Sequence, residues 1–409
     1  MDRTLNVLIL GINYAPEPTG IAPYTTGLAR FLSEAGHSVQ VVTSYPHYPS
    51  WEISEGYTGL RTSEIIDGIP VTRIRHPIPK NPAGISRIFA EAVFGLHSTS
   101  VRVTAPDVVV ATSPALLTVA AALTRRRKHR TAVGVIVQDL YSRAVTETGL
   151  LGGRSARAVA ALELALLSRV DGISVIHDSF QASLTAMGID PDRIEVVRNW
   201  SHISLDSSDP DGVRDRLNWS AGEIIALHAG NMGLKQGLDN IVEAARCADQ
   251  IDAPVRFVLL GDGSQRSRLE RLGRGIRSLQ FLDPVPADHF PSILAASDVL
   301  LLNELPGVAD MCVPSKLTSY FAAGRPTLAA TGPSGAAAFE LAAAQAGYRV
   351  DPGDPLTLLE AVLALARDGE ASAEAGRRGQ RYVQNVLSER SARSSYIKWI
   401  EQLATSRRL

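Results

Sequence analysis

The amino-acid sequence predicts an α/β protein built from two Rossmann-like, doubly wound domains that face each other across a cleft. Its 409 residues are about twice the length of an ordinary domain. Short apolar, β-branched runs alternate with longer helical patterns, which is typical of parallel sheets covered by helices on both faces. The alternation starts a second time after a segment at 201–222 that is rich in Ser, Asp and Gly, the composition of a linker.

In the first series, the apolar runs are too short for helices and are therefore predicted to be buried strands. They cover 5–10, 39–43, 108–111, 132–137, 172–176 and 194–197. The helical patterns between them cover about 22–35, 85–104, 114–127, 155–168 and 179–187. Residues 45–82, rich in Pro, Tyr and Gly, interrupt this rhythm with a predicted hairpin of 60–64 and 71–75. This excursion fits a specificity loop and a structural insertion equally well.

The second series repeats the pattern, with a final helix expected to return to the first domain. Its strands are predicted at 224–228, 256–260, 279–282, 299–302 and 326–330. Its helices are predicted near 238–248, 264–274, 288–296 and 315–323. Only helices are expected after Asp351, the last over about 388–404. We therefore expect one domain over 1–200, with about 388–409 packed back on it, and a second domain over 201–387.

Composition and charge exclude several classes of function. A net charge of −1 gives no reason to expect a nucleic-acid partner. The two cysteines, Cys247 and Cys312, make neither a disulfide framework nor a metal site. The chain lacks an apolar run of 18 residues, and the short apolar run 7–10 does not resemble a signal peptide. We therefore expect a cytoplasmic protein.

The segment 11–24 joins the first predicted strand to the first helix. Ligands of open α/β sheets bind at such carboxyl ends, and a helix N-terminus there offers N–H groups to anions. Gly20 would allow the backbone to approach a phosphate, although an ordinary strand-to-helix turn remains the alternative. The spacing is not G-x-G-x-x-G, so a dinucleotide is not indicated.

The corresponding loop of the second domain, 227–237, contains three glycines and Lys235. A lysine supplies a point charge for a diphosphate while glycines keep the backbone accessible. Lys235 equally fits a solvated turn. Gly261 and Gly263 follow the next strand, where tight turning explains them as well as ligand contact does.

Two further places combine charge with a strand or helix end. Ser315 is a good N-cap for the helix predicted at 315–323, and Lys316 then sits in the first turn, where a cation opposes the helix dipole. An anion at this helix end would account for that lysine, and chance placement is the alternative. Asp139 follows a buried strand, where it could orient sugar hydroxyls or cap the next segment.

Together these segments resemble retaining, GT-B-fold glycosyltransferases of family 4, and particularly the bacterial exopolysaccharide branch of colanic-acid and fucosamine-type transferases. The segments that carry the resemblance run in the expected order from residue 8 to about 330. They are Gly11-Ile-Asn-Tyr-Ala-Pro-Glu-Pro-Thr-Gly-Ile, Tyr45-Pro-His-Tyr-Pro, Val137-Gln-Asp, Arg198-Asn-Trp-Ser, Gly230-Asn-Met-Gly-Leu-Lys-Gln-Gly-Leu and Pro314-Ser-Lys-Leu-Thr.

The resemblance implies that the second domain binds a nucleotide-sugar, the first binds the acceptor, and no metal or other cofactor is needed. Lys235 would contact the diphosphate, the helix start at Ser315, Lys316 and Leu317 would donate N–H groups to it, and Gly20 would approach it from the first domain. The implied donor site also includes Asn231, Gly261 and Gly263, with Leu282 and Val285 beside the base. Tyr14, Tyr45 and His47 are the implied acceptor contacts, and Asp139 the catalytic residue.

Three positions depart from the family pattern. Asn231 stands where many members have Arg, and Asp139 stands where many have His. The widespread pair of glutamates eight residues apart is replaced by Met311 and Ser319. At these positions the resemblance does not carry over the usual contacts to donor sugar and ribose.

The predicted function is transfer of a sugar, with retention, from a nucleotide-diphosphate donor to an exopolysaccharide, lipid-linked or natural-product acceptor. A UDP-activated amino or N-acetyl sugar is favoured over a GDP-sugar. A non-catalytic nucleotide-sugar-binding subunit and a sugar-nucleotide epimerase on the same fold are the alternatives. A basic run at 125–130 and apolar residues within 85–103 are compatible with a peripheral contact at the inner face of the membrane, or with a core-facing helix and a solvated helix end.

Overall fold

A computed structural model divides the chain into two compact units. The first unit comprises Met1–Asn199 and Arg390–Leu409, and the second comprises Trp200–Glu389. The structure describes residues 4–18, 20–79, 85–113, 115–127, 130–140, 153–201, 210–286, 288–307 and 316–406. The domain boundary was expected at residue 200, and the structure divides the chain between Asn199 and Trp200.

The first unit contains a sheet with the strand order β3-β4-β2-β1-β5-β6-β7-β8. β3 is antiparallel to β4, and the other neighbouring strands are parallel. The central strands are buried on both faces, as their uniformly apolar sequences predict. The strands are β1 Asn6–Leu10, β2 Ser38–Ser44, β3 Arg61–Ile66, β4 Ile69–Ile74, β5 Val108–Ser113, β6 Ala132–Val137, β7 Gly172–Val175 and β8 Ile194–Val196. The described helices between them are α1 Ala22–Glu34, α2 Ile85–Thr99, α3 Leu116–Thr124, α4 Gly153–Leu167 and α5 Asp178–Ala186.

The second unit contains an all-parallel sheet with the order β11-β10-β9-β12-β13-β14. Apolar clusters pack on both of its faces. The strands are β9 Ile224–Ala229, β10 Val255–Leu260, β11 Leu279–Leu282, β12 Val299–Asn303, β13 Thr327–Ala330 and β14 Gly347–Val350. The described helices are α6 Pro210–Arg216, α7 Asp239–Gln250, α8 Arg266–Leu272, α9 Phe290–Ala296, α10 Lys316–Ala322, α11 Ala336–Ala344, α12 Pro355–Arg367 and α13 Gly369–Asn385. The prediction of two α/β units with parallel sheets is confirmed.

The last helix, α14 (Glu389–Ser406), packs on the sheet of the first unit. Its buried Trp399 and Leu403 occupy the space above two glycines, Gly134 in β6 and Gly172 in β7. A Cβ on Gly134 would lie 2.7 Å from Leu403 Cδ1 and 2.8 Å from Trp399 Cη2. The glycines are therefore what allows the helix to lie this close to the sheet.

Three elements differ from the sequence-based expectation. Helix α6 lies inside the segment 201–222 expected to be a linker, and its Val213 and the following Trp219 are buried in the second unit's core. Trp219 also donates a hydrogen bond from Nε1 to Gln280 Oε1 at 2.8 Å. Polar composition suggested a linker, but these two apolar residues anchor the segment. The other two elements, α11 and β14, were not predicted, because α11 is largely alanine and β14 is short and partly exposed.

Each sheet has one point where the chain reverses the direction in which it adds strands. In the first sheet this point lies between β1 and β5, and in the second between β9 and β12. Open parallel sheets bind ligands outside the carboxyl ends of the strands at such a point. The loops that follow these four strands are therefore the places where ligands are expected to bind.

Candidate active site

A cavity of about 260 Å³ lies at the reversal point of the first sheet. The loop after β1, the segment after β2, helix α2 and the ends of β5 and β6 line it. Polar and aromatic side chains dominate its wall, including His47, Trp51, His76, Glu91 and Asp139. Such a lining matches a ligand that carries several hydroxyl groups and apolar ring faces better than it matches a purely apolar ligand.

Glu17 joins two walls of this cavity. Its Oε1 accepts hydrogen bonds from the backbone N–H groups of His47 (2.9 Å) and Tyr48 (3.0 Å). Its Oε2 accepts from Asn13 Nδ2 at 2.8 Å. The carboxylate is buried, so these bonds to N–H donors supply the stabilisation that water would otherwise give. Glu17 thereby fixes the loop after β1 against the segment after β2.

Two buried histidines lie edge-to-face in the cavity wall. The ring centroids of His47 and His76 are 5.3 Å apart. His47 Nδ1 lies 2.9 Å from the carbonyl oxygen of Tyr45, which can only accept, so this nitrogen carries a proton. Burial, with added repulsion from His47 and His97, lowers the pKa of His76 to about 3. His76 is thus neutral at physiological pH, and its Nδ1 has no hydrogen-bond partner among the described residues.

Glu91 on α2 presents a buried carboxyl group to the same cavity. Its Oε1 accepts from Arg87 Nε, one helical turn away, at 3.1 Å. Burial nevertheless raises the pKa of Glu91 to about 7, because the half-exposed Arg87 only partly offsets the desolvation of the carboxylate. This carboxyl can therefore donate or accept a hydrogen bond near neutral pH.

The site residues predicted in the first domain, which are Gly20 for the donor, Asp139 for catalysis and Tyr14, Tyr45 and His47 for the acceptor, differ in where they lie. His47, Gly20 and Asp139 line the cavity. Tyr14 and Tyr45 are each only 1% exposed and are not among its lining residues. The Tyr45 hydroxyl donates to the carbonyl of Thr58 at 2.7 Å, which gives it a structural contact within the excursion after β2. Gly20 adopts φ +71°, a left-handed conformation that glycine accommodates without strain.

In the second unit, the loops after β9 and β10 pack backbone to backbone. A Cβ on Gly261 would lie 2.2 Å from the carbonyl oxygen of Gly230, and both glycines have positive φ. A Cβ on Gly263 would lie 2.6 Å from Asn231 Oδ1. Gly261 and Gly263 are thus required for close loop packing, whatever else they contact. Asn231 itself is exposed beside them.

Lys235 lies in a single 3-10 turn, Leu234–Gln236, and its side chain is exposed. The buried Asn303, at the end of β12, donates from Nδ2 to the carbonyls of Gln236 (2.8 Å) and Gly237 (3.0 Å). The backbone N–H of Leu305 donates to the carbonyl of Lys235 at 2.8 Å. The lysine side chain is therefore exposed, and it is carried on a loop that is held at the reversal point.

Lys316 begins α10 and points its amine back to β9. Its Nζ lies 2.8 Å from Nε2 of the fully buried His228. Leu317, the next residue, is a core side chain at 2% exposure, so only its backbone could meet a ligand. Ser315 lies outside the described residues. Leu282 and Val285, expected near the base, are half-buried and pack against the same core.

Sequence reasoning missed the residues that hold the site together. Glu17 and His228 lie inside loops that the sequence singled out, but nothing in their spacing distinguishes them from core residues. Asn303 in β12 and Glu91 in α2 are distant in sequence from those loops, and His76 lies in the excursion 45–82, after β4. Their roles depend on tertiary proximity, which a single sequence does not report.

Within the described parts of the chain, no three His, Cys, Asp or Glu side chains are grouped so that they could hold a metal ion. None of the described helices is long and apolar enough to cross a membrane.

Comparison with known proteins identifies the class to which this fold and these loops belong. The family described as "Glycosyl transferase 4-like domain" matches residues 19–200, and the family described as "Glycosyl transferases group 1" matches residues 223–368. WcaI of Escherichia coli (strain K12), named as a colanic acid biosynthesis glycosyl transferase, is 31% identical over 335 residues, which cover 78% of this chain and 82% of WcaI. WbjE of Pseudomonas aeruginosa, named as a glycosyltransferase, is 26% identical over 67% of this chain and 70% of its own length.

Solved structures of low sequence identity share the fold. Sucrose-phosphate synthase from Thermosynechococcus elongatus is 16% identical and superposes with a TM-score of 0.72, covering 99% of this chain and 100% of its own. HepE from Anabaena, solved with UDP-glucose, is also 16% identical, with a TM-score of 0.66 over 98% of this chain and 99% of its own. The protein is therefore a glycosyltransferase with the GT-B fold. It belongs to the family of group 1 and 4-like glycosyl transferases that includes the colanic acid relative.

Proposed function

We propose that this enzyme transfers an amino or N-acetyl sugar, with retention of configuration, from a UDP-activated donor to a hydroxyl group of a bacterial surface glycan or its lipid-linked precursor. The observation that carries the proposal is that each unit gathers polar groups at the reversal point of its own sheet. The second unit gathers lysines and glycine-rich loops, and the first gathers carboxyl groups, imidazoles and aromatic rings.

The donor side of the proposal depends on charge. The second unit offers Lys235 on an anchored loop, and Lys316 at the start of α10, whose amine reaches the end of β9 beside Gly230. Two lysines can neutralise a diphosphate as its charge develops during departure, which is the task of a metal ion in other transferases. We therefore propose a metal-independent donor site in this unit.

The acceptor side of the proposal depends on the cavity of the first unit. Glu91, His47 and Asp139 offer hydrogen-bonding groups, and Trp51 offers an apolar ring face. A sugar presents hydroxyl groups around its edge and C–H groups on its faces, so it complements this combination. A glycan acceptor is supported by the similarity to WcaI, which is named for colanic acid biosynthesis. A UDP donor is supported by the similarity to HepE, which was solved with UDP-glucose.

The reaction then proceeds without a covalent enzyme intermediate. The bond between the sugar C1 and the leaving phosphate oxygen breaks while the acceptor oxygen bonds to C1 on the same face. The hydroxyl proton passes to the leaving phosphate, so no protein base is required. Asp139 would orient the acceptor or the sugar, and the lysines would stabilise the departing diphosphate.

The experiment that tests this function is a donor and product assay. The purified enzyme would be incubated with UDP-N-acetylglucosamine or GDP-mannose and with lipid-linked monosaccharide acceptors, and released nucleotide would be measured. Nuclear magnetic resonance of the product would report the anomeric configuration. We expect UDP release that depends on acceptor, and a product with the donor's configuration. An inverted product would contradict retention, and acceptor-dependent release of GDP alone would contradict the UDP donor.

A further inference from the structure

The pair formed by His228 and Lys316 has a geometry that fixes which atom carries each proton. His228 Nδ1 lies 3.1 Å from the carbonyl oxygen of Leu301 on the neighbouring strand β12. A carbonyl oxygen only accepts, so Nδ1 is the protonated nitrogen of the neutral ring. Nε2 then has a free lone pair, which accepts a hydrogen bond from Lys316 Nζ at 2.8 Å.

The surroundings keep this imidazole neutral. His228 is completely buried in β9, and burial together with the nearby Lys316 holds its pKa well below the usual value. Hydrogen bonds to the backbone of Leu301 and Asn231 oppose this shift but do not overcome it. The ring thus serves as a permanent acceptor that directs the lysine amine.

The amine lies against the glycine loop of the proposed donor site. A Cβ on Gly230 would be 3.0 Å from Lys316 Cε and 3.6 Å from Nζ. Gly230 has φ +126°, so any other residue would both strain the backbone and crowd the lysine. The lysine side chain thus runs across bare backbone at the carboxyl end of β9.

Two groups from the elements around the amine act on it directly, and a third, Tyr320, is bonded to the backbone nearby. His228 comes from β9, and Glu304, which follows β12, is the carboxylate whose charge favours the ammonium form. Tyr320, on α10 like the lysine, has its hydroxyl bonded to the backbone N–H of Ala229 at 2.9 Å. Burial outweighs the effect of Glu304 and lowers the pKa of Lys316 to about 7.

We propose that His228 and Lys316 form a proton-linked anion site, in which the imidazole positions the lysine amine and the amine takes up a proton from solvent when the donor's diphosphate binds. The inference rests on the proposed donor site in the second unit and adds to it a positioning residue and a dependence on pH. The incoming proton bonds to the Nζ lone pair. Of the three N–H groups of the resulting ammonium, one donates to His228 and two are available to phosphate oxygens.

The sign of the pH dependence follows from the charge of the ligand. Below about pH 7 the free enzyme already carries the ammonium, so binding takes up little proton. Above about pH 7 the free amine is mostly neutral and the bound anion restores its charge. Proton uptake should therefore rise toward one per site near pH 8.5, and donor affinity should fall by up to about tenfold per pH unit.

Isothermal titration calorimetry of the full chain with UDP-N-acetylglucosamine tests this directly. The enthalpy would be compared in two buffers of different ionisation enthalpy, at about pH 5.5 and about pH 8.5. Both phosphates of a nucleotide-sugar are diesters without a titrating proton in this range, so measured uptake belongs to the protein. We expect uptake approaching one proton at the higher pH and near zero at the lower.

Lys316→Arg is the decisive variant, because arginine keeps its charge at every pH tested. It should bind donor yet lose the proton uptake, whereas the matched Lys235→Arg should keep the uptake of the wild type. Binding of the wild type without uptake at about pH 8.5 would overturn this inference and leave the proposed function intact. Failure of the wild type to bind either UDP-N-acetylglucosamine or GDP-mannose would instead contradict the proposed function, and the inference with it.

His228→Gln tests the positioning role. If His228 is purely structural, its replacement should lower stability but leave the midpoint of the affinity profile near pH 7. A positioning histidine should shift that midpoint and weaken affinity on the order of tenfold below it. If His228→Gln does not fold, the Lys316→Arg comparison still decides whether the proton-linked site exists, and unchanged uptake in that variant would overturn it.

Discussion

Two buried polar residues, Glu17 and Asn303, hold the loops on which the candidate sites are built. Glu17 binds backbone N–H groups on one loop and a side chain on another, and Asn303 binds two carbonyls of the lysine loop. A buried hydrogen bond contributes little net free energy, but leaving its partner unsatisfied costs about 1–3 kcal/mol. These residues therefore make each loop conformation specific.

The exposed Lys235 is expected to contribute to donor binding without supporting the fold. A charge-assisted contact is worth about 1.5–3 kcal/mol, so Lys235→Ala should weaken nucleoside-diphosphate affinity on the order of tenfold to a hundredfold. Calorimetry measures this, with Lys398→Ala as the control, since Lys398 is an exposed lysine on α14. Equal affinity in the two variants would contradict the assignment of Lys235.

Asp139 lines the cavity of the first unit, and we expect it to act on turnover rather than on donor binding. Asp139→Asn should lower kcat on the order of tenfold to a hundredfold, because it removes orientation of the reacting groups. Donor affinity should change little. Steady-state kinetics with a raised KM and an unchanged kcat would show that Asp139 has been misassigned.

Glu91 is expected to make the stability of the protein depend on pH. Its folded pKa of about 7 lies above the ordinary value for glutamate, so its contribution is most favourable below about pH 4.5 and is lost as pH rises through 7. Between pH 4.5 and pH 8 the free energy of unfolding of Glu91→Gln should therefore rise by up to about 3 kcal/mol relative to that of the wild type. Urea unfolding at both pH values measures this, with the exposed Glu360→Gln as the control. The same pH trend in both variants would refute the assignment.

At the scale of elements, the close packing of α14 on the first sheet depends on Gly134 and Gly172. Gly134→Ala would force its Cβ against Leu403 and Trp399, and such overpacking costs about 1–3 kcal/mol. We expect a lower free energy of unfolding for the first unit. Gly222→Ala is the matched control, because a Cβ there meets nothing within 4 Å. Equal stability of the two variants would show that α14 can move away from the sheet at no cost.

Helix α2 carries the surface on which the proposed membrane contact depends. Phe89 and Leu96, seven residues apart on one face, are exposed, while Phe94 of the same helix is buried in the core. The nearby basic run is partly occupied by structural contacts, because Arg125 donates to the carbonyls of Ser98 and Val101. The apolar pair is therefore the stronger part of the hypothesis.

The double variant Phe89→Ser/Leu96→Ser should reduce co-sedimentation with anionic vesicles at low salt, because apolar area buried in the bilayer drives interfacial binding. Ile65→Ser, at another exposed apolar residue, on β3, provides the control and should bind as the wild type does. A wild-type protein that remains in the supernatant would rule the contact out.

At the scale of the whole molecule, the chain leaves the first unit after Asn199 and returns to it at Arg390. The second unit has its own sheet and its own core on both sheet faces. A fragment of residues 200–389 should therefore fold and bind nucleoside diphosphate within about tenfold of the full chain, since Lys235 and Lys316 both lie in it. Circular dichroism and calorimetry measure this. A folded fragment without affinity would show that the donor site requires the first unit.

The sequence by itself determined the fold class, most strands and helices, and the loops in which the candidate sites lie. Buried parallel strands have a strong signature, because both of their faces must be apolar, and a glycine-rich loop after such a strand marks a sheet's carboxyl edge. Helix α6 was not predicted, because the surrounding sequence is polar. The burial of Val213 in this helix and of Trp219 after it is visible only in the structure.

Only the tertiary structure decided which side chains meet. Lys316 and His228 are separated by 88 residues, and Asn303 reaches a loop 66 residues away, so their spacing carries no local signal. The same holds for Tyr45, for which the family resemblance implied a ligand contact although its hydroxyl is bonded to the carbonyl of Thr58. The local sequence pattern predicts burial and backbone conformation, because both depend on neighbouring residues. Pairing, desolvation and proton position depend on groups that the fold brings together from distant parts of the chain.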